Sequence, residues 1–134
     1  NWVIGNTTRF AAACSQRSIS NWVSKCMTTD IGYYFNMDQI KADPWNSPEK
    51  MWQHSPLKYA NMAKTPTLFI QSDEDYRCWM RDAIQMFSAL KYFGVEARMC
   101  LFHGENHELS RSGKPKHRIR RMTEMMEWFE KYLK

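Results

Sequence analysis

Apolar and polar residues follow a strand–loop–helix order twice in the second half of the chain. Short apolar runs at residues 67–70 and 95–102 predict two buried strands. After the first run, apolar residues recur at helical spacing: Met80, Ala83, Ile84, Phe87 and Leu90. Gly94 then predicts the end of this helix. A final helix is predicted with an apolar face made of Ile119, Met122, Met125, Met126, Phe129 and Leu133.

The first half of the chain is less regular. Residues 10–14 are small and apolar and predict another buried strand, with residues 15–18 as its polar exit. Residues 21–36 are aromatic and read as irregular. Ser47 and Pro48 are a typical helix start, so a short helix is expected up to about His54, followed by a helical turn over residues 55–60.

Alternating strands and helices predict parallel βαβ units. Two polar loops, residues 71–77 and 103–116, follow the carboxyl ends of neighbouring strands. Ligands of open α/β sheets bind at that edge, so the chemistry is expected there.

Composition limits the class of protein. The 134 residues correspond to one domain, residues 1–134, and are 43% hydrophobic and 25% charged, which is typical of a globular fold. We find no apolar run long enough for a membrane span and no secretory signal. The four cysteines form no C-x-x-C pair, which favours reduced thiols and a cytoplasmic location.

The net charge of +5 comes from one segment of the chain. Residues 111–121 contain six basic side chains and no acidic one, whereas the remainder is close to charge balance. No aromatic residue for base stacking lies among them, so a solvated helix start is favoured over a nucleic-acid site.

The two polar loops carry the candidate chemistry. Carboxylates of residues 73–75 follow one strand, and His107 follows the next. A hydrolase needs an acid that orients a histidine for proton transfer. The alternative is that these acidic and histidine-containing loops are ordinary solvated surface. His103 and His107 are spaced as metal ligands would be on a helix, but Gly104 between them disfavours a helix and hence a metal site.

A nucleophile is the missing part of this chemistry. No G-x-S-x-G motif occurs, and the serines after the first strand lack the glycines that a strained elbow turn requires. Cys78 is a weaker alternative, because it lies only three residues from Asp75.

The chain resembles the C-terminal part of a serine peptidase of the prolyl oligopeptidase family, in its acylaminoacyl-peptidase-like branch. The resemblance is carried by residues 1–2, 8–13, 16–22, 55–60, 65–70, 74–78 and 104–115, of which the last two stretches, EDYRC and GENHELSRSGKP, are specific as a pair.

This resemblance implies the C-terminal portion of an α/β-hydrolase fold, three-layer αβα with a mostly parallel sheet, and a Ser–Asp–His triad. Asp75 falls on the triad acid and His107 on the triad histidine. Arg77 falls on an arginine that binds a substrate carbonyl. Met27 and Ile31 fall in the region that lines the primary specificity pocket. No cofactor and no metal are implied.

The resemblance also places the nucleophile elbow upstream of Asn1 and the propeller domain outside this chain. Trp79 and His103 stand where proline is common in the family. We therefore expect a peptide substrate, an inactive isolated chain, a partnership with the missing N-terminal part and self-association into a homo-oligomer. The alternative is a noncatalytic α/β interaction module that lacks the nucleophile; another esterase or lipase of the same fold is disfavoured by the paired motifs.

Overall fold

Three parallel strands form the centre of the molecule. The computed structural model describes residues 1–133. Its sheet has the order β1-β2-β3, with β1 at Ala13–Gln16, β2 at Thr67–Ser72 and β3 at Ala97–Phe102. The six α-helices are α1 Trp22–Thr28, α2 Tyr34–Ile40, α3 Pro48–His54, α4 Met80–Tyr92, α5 Leu109–Ser112 and α6 Pro115–Tyr132. Two 3-10 helices cover Val3–Gly5 and Pro56–Met62.

Helices cover both faces of the sheet, so the predicted three-layer arrangement is confirmed. Phe69 of β2 points to one face and packs there with Met86 and Leu90 of α4. Its neighbours Leu68 and Ile70 point to the opposite face, where Trp128 of α6 covers them. This alternation follows from the pleat of a strand, and because both faces are covered every residue of β2 is buried.

The first strand lies later than its apolar run predicts. Regular pairing begins at Ala13, whose N–H donates to the carbonyl of Pro66 at 2.9 Å, and continues through Gln16 opposite Ile70. Phe10 is half exposed and lies outside the strand. Pairing with β2, rather than hydrophobicity, therefore sets the bounds of β1, and polar residues near its carboxyl end still join the ladder.

The aromatic segment predicted as irregular contains two short helices. The side chain of Asn21 accepts a hydrogen bond from the N–H of Val23 at 3.0 Å and caps α1. The helix α2 follows, and α1, α2 and α3 enclose a small satellite core around Met51 and Cys26. The predicted helix ending near His54 and the helix stop at Gly94 are confirmed. Gly94 has φ 75°, a left-handed conformation that glycine adopts without strain.

The predicted apolar face of α6 is divided between the core and the surface. Met125 and Phe129 pack against the sheet together with Trp128, which the sequence pattern did not single out. A second stripe is at least half exposed: Ile119, Met122, Met126 and Leu133. All six predicted residues lie on one face of the helix, and only the edge of that face nearest the sheet is buried.

In the described part of the chain, no helix combines the length and the apolar character that a membrane crossing requires.

Candidate functional site

Asp75 lies in the loop after β2 and is fully buried. Its Oδ1 accepts hydrogen bonds from the backbone N–H groups of Arg77 at 3.0 Å and Cys78 at 2.8 Å. An aspartate that accepts from the N–H groups two and three residues further on is a local turn motif, so the sequence itself folds this loop around the carboxylate.

Gln71 at the end of β2 supports the same carboxylate. Its Nε2 donates to Asp75 Oδ2 at 3.3 Å and to the carbonyl of Cys78 at 2.7 Å, while its Oε1 accepts from the N–H of Ser18 at 3.1 Å. The sequence predicted Gln71 as part of a polar loop, but it belongs to β2 and is buried. The sequence signal for such a supporting residue is a polar side chain at the end of an otherwise apolar strand.

His107 lies in the loop after β3 and meets Asp75 across the sheet edge. Its Nδ1 is 3.1 Å from Oδ1 and 3.0 Å from Oδ2 of Asp75. The imidazole side chain is 22% exposed and the carboxylate is inaccessible. A carboxylate at Nδ1 keeps the proton of a neutral imidazole there and leaves Nε2 as the basic nitrogen.

Glu105 anchors the loop that carries His107. It accepts a hydrogen bond from the N–H of Lys114 at 3.0 Å and contacts Nδ1 of His117 at 2.6 Å. Burial alone would raise the pKa of Glu105, but these two hydrogen bonds and the charges of His117 and Lys114 together hold the pKa below its ordinary value. His117 is half-buried and ties the start of α6 to this loop.

The side chain of Arg77 forms an ion pair with Asp30. Its Nε lies 2.6 Å from Asp30 Oδ1, and its Nη2 lies 3.3 Å from Oδ2. The hydrogen bond from Arg77 lowers the pKa of Asp30 below its ordinary value. Asp30 was not recognised from the sequence, where nothing links it to a loop 47 positions away.

Met27 lines an exposed groove of about 530 Å³ beside α1, together with Tyr33, Met37 and Trp45. Met27 itself is 53% exposed. Ile31 is half-buried next to Asp30 and does not line this groove. Of the two pocket candidates, Met27 therefore lines this groove and Ile31 does not.

His103 and His107 take different partners. His103 contacts Asp73, whose Oδ1 also accepts the N–H of Gly104 at 2.8 Å. Among residues 1–133 we find no group of three or more His, Cys, Asp or Glu side chains arranged to hold a metal ion. Cys78 is buried, and burial raises the pKa of its thiol to about 11, which disfavours a thiolate nucleophile.

Another buried carboxyl lies at the start of α4. Asp82 is inaccessible to solvent, and its Oδ2 has no hydrogen-bond partner among the described residues. Burial raises its pKa to about 6, although a hydrogen bond from Ser24 and the charge of Lys25 act against this shift.

Asp82→Asn is expected to stabilise the protein at pH 8. The pKa of Asp82 rises from 3.8 in the unfolded chain to about 6 in the folded one, so its ionisation costs stability as the pH rises through this window. Removing the charge should increase the free energy of unfolding by about 1–3 kcal/mol at pH 8 and change it little at pH 4. Urea unfolding at both pH values measures this.

The matched control is Asp38→Asn, because Asp38 is exposed on α2 and its substitution should change stability at neither pH. A loss of stability for Asp82→Asn that is equally large at pH 4 and pH 8 would contradict the expectation.

The parallel sheet with helices on both faces is part of an α/β-hydrolase fold. The model of the prolyl oligopeptidase family matches residues 1–134. The chain belongs to this family of peptidases.

Individual relatives agree with the family match. The uncharacterized peptidase YuxL of Bacillus subtilis is 44% identical over 133 residues, covering 99% of this chain and 20% of the relative. The acylamino-acid-releasing enzyme of Arabidopsis thaliana is 29% identical over 133 residues, covering 94% of this chain and 17% of the enzyme. The uncomplexed acylaminoacyl peptidase of Pyrococcus horikoshii superposes with a TM-score of 0.94 at 35% identity, covering 99% of this chain and 22% of that structure. The chain thus spans about a fifth of the length of the relatives that it matches.

Proposed function

We propose that this chain supplies the acid and the base of a serine peptidase that hydrolyses acylated or short peptides. The observation that carries the proposal is the contact between buried Asp75 and Nδ1 of His107 at 3.0 Å. Family membership and the acylaminoacyl peptidases among the relatives support the substrate class.

In this mechanism His107 accepts the proton of a serine hydroxyl at Nε2 as that oxygen attacks the substrate carbonyl. Asp75 stabilises the imidazolium through Nδ1 and keeps the ring oriented. The proton then passes to the leaving amine, and water activated by His107 hydrolyses the acyl-enzyme. The guanidinium of Arg77 binds a backbone carbonyl of the substrate, for which its fixed N–H donors are suited.

The serine is assigned to a part of the protein outside this chain, since no G-x-S-x-G motif occurs within it. The exposed apolar stripe on α6 supports contact of this chain with another part of the protein or with a second copy. The homo-oligomer and the cytoplasmic location remain predictions.

Fluorophosphonate labelling followed by mass spectrometry tests the proposal. The full-length protein should gain one adduct, on a serine outside these 134 residues, and should hydrolyse an acyl-amino-acid nitroanilide. The 134-residue chain alone should gain no adduct and show no turnover, because Asp75 and His107 then have no nucleophile to activate.

Heat-denatured protein is the control for nonspecific labelling. An adduct on Ser15, Ser18 or Ser20 would contradict the assignment of the nucleophile. A full-length protein that neither labels nor turns over substrate would contradict the peptidase proposal and favour a noncatalytic interaction module.

A further inference from the structure

The end of α1 holds the backbone of the loop that follows β2. The N–H of Asp30 donates to the carbonyl of Tyr76 at 2.9 Å, and Thr29 Oγ1 donates to the carbonyl of Arg77 at 2.9 Å. Lys25, whose side chain is buried, donates through Nζ to the same carbonyl of Arg77. These contacts fix the position from which the Arg77 side chain extends.

The guanidinium of Arg77 is held along one edge. Its Nε and Nη2 donate to the two carboxylate oxygens of Asp30, at 2.6 and 3.3 Å. Two parallel hydrogen bonds orient a planar guanidinium more strictly than a single contact does. Nη1 and the second hydrogen of Nη2 have no partner among residues 1–133, and the side chain is 39% exposed. One edge of the group is therefore fixed, and the other edge can receive an acceptor oxygen.

The pairing also sets the local charge. Asp30 neutralises Arg77, and the carboxylate of Asp75 adds a negative charge nearby. Lys25 and His107 are the other basic groups close to the pair. A neutral carbonyl oxygen still gains the hydrogen bonds of the free guanidinium edge, whereas a carboxylate gains no net attraction from a neutralised arginine.

We propose that Asp30 is a positioning residue for Arg77, and that this ion pair makes the site select a neutral acyl carbonyl over a carboxylate. The inference rests on the proposed function, because it deepens the role of Arg77 as a group that binds substrate. Asp30 acts on the substrate only through Arg77.

Steady-state kinetics of the full-length protein with N-acetyl- and N-succinyl-alanine nitroanilide test the inference. These substrates share a leaving group and an acyl carbonyl, and the succinyl substrate carries an additional carboxymethyl group. Asp30→Asn keeps the size of the side chain, and we expect it to raise KM for the acetyl substrate about fivefold while kcat stays within about twofold. The ratio of KM for the succinyl substrate to KM for the acetyl substrate should fall by a similar factor.

A double-mutant cycle with Arg77→Gln separates positioning from a general structural effect. In the Arg77→Gln protein, Asp30→Asn should have no further effect on KM. Asp38→Asn, an exposed substitution on α2, controls for the loss of one negative charge.

Different failures have different meanings. If Arg77→Gln raises KM and Asp30→Asn does not, only the inference is overturned. It is also overturned if Asp30→Asn costs as much in the Arg77→Gln protein as in the wild type, or if it lowers kcat without changing KM. If Arg77→Gln leaves KM unchanged, the proposed substrate-binding role of Arg77 fails as well, whereas the serine-labelling result is unaffected.

Discussion

Asp75→Asn will lower kcat of the full-length protein about 10⁴-fold, with little change in KM. The carboxylate of Asp75 accepts at Nδ1 of His107, and it carries the charge that stabilises the imidazolium formed in the transition state. An asparagine amide has no such charge, and its N–H₂ group favours the wrong tautomer of the ring. Initial rates with N-acetyl-alanine nitroanilide, measured across pH 6–9, provide the comparison.

The matched control is Asp73→Asn, two residues earlier in the same loop. Asp73 pairs with His103 instead of His107, so this substitution should keep kcat within about threefold. If Asp75→Asn retains more than about a tenth of the wild-type kcat, Asp75 is not the acid that the reaction requires.

Gly113→Ala will destabilise the protein by about 2–3 kcal/mol. A Cβ atom at Gly113 would lie 2.5 Å from the carbonyl oxygen of Leu109 and 2.9 Å from Oε2 of Glu105. Because the nearest of these is backbone, the loop itself has to move, and Glu105 anchors the segment that carries His107. Urea unfolding monitored by tryptophan fluorescence measures the loss, and kcat should fall with it.

Gly94→Ala separates this steric effect from backbone strain. Gly94 has φ +75° and nothing within 4 Å of an added Cβ, so only its left-handed conformation opposes alanine. The cost should be about 1 kcal/mol, with kcat unchanged. Equal losses at the two positions would show that the contacts of Gly113 with Leu109 and Glu105 do not matter.

The elements that the sequence predicted best are those whose pattern is set by burial on a regular repeat. β2 and α4 are covered by the core along their length, so their apolar residues mark their positions directly. The start of β1 was wrong because its bounds depend on pairing with β2, which a local apolar run does not report. The apolar face of α6 was predicted at the right positions, but the sequence did not show that half of it is exposed, because an exposed apolar stripe has the same spacing as a buried one.

Some residues of the candidate site could be predicted from the sequence, and others could not. The meeting of Asp75 and His107 follows from two loops at the same edge of a parallel sheet, so topology and motif together were sufficient to expect it. Asp30 was missed because it acts through a side-chain hydrogen bond that has no sequence pattern, and Gln71 was missed because the polar end of β2 was assigned to the following loop. Their partners are fixed only when the strand end and α1 have folded against the loop.

The low reactivity of the buried Cys78 thiol affects how inhibition experiments on this protein are interpreted. With a pKa of about 11, roughly one thiol in ten thousand is ionised at pH 7, and only the thiolate reacts with alkylating agents. Burial raises the pKa of Cys14 to about 11 as well. Iodoacetamide will therefore modify these two positions slowly in the folded protein. Rapid inactivation by a serine-directed reagent would then not be due to modification of Cys14 or Cys78.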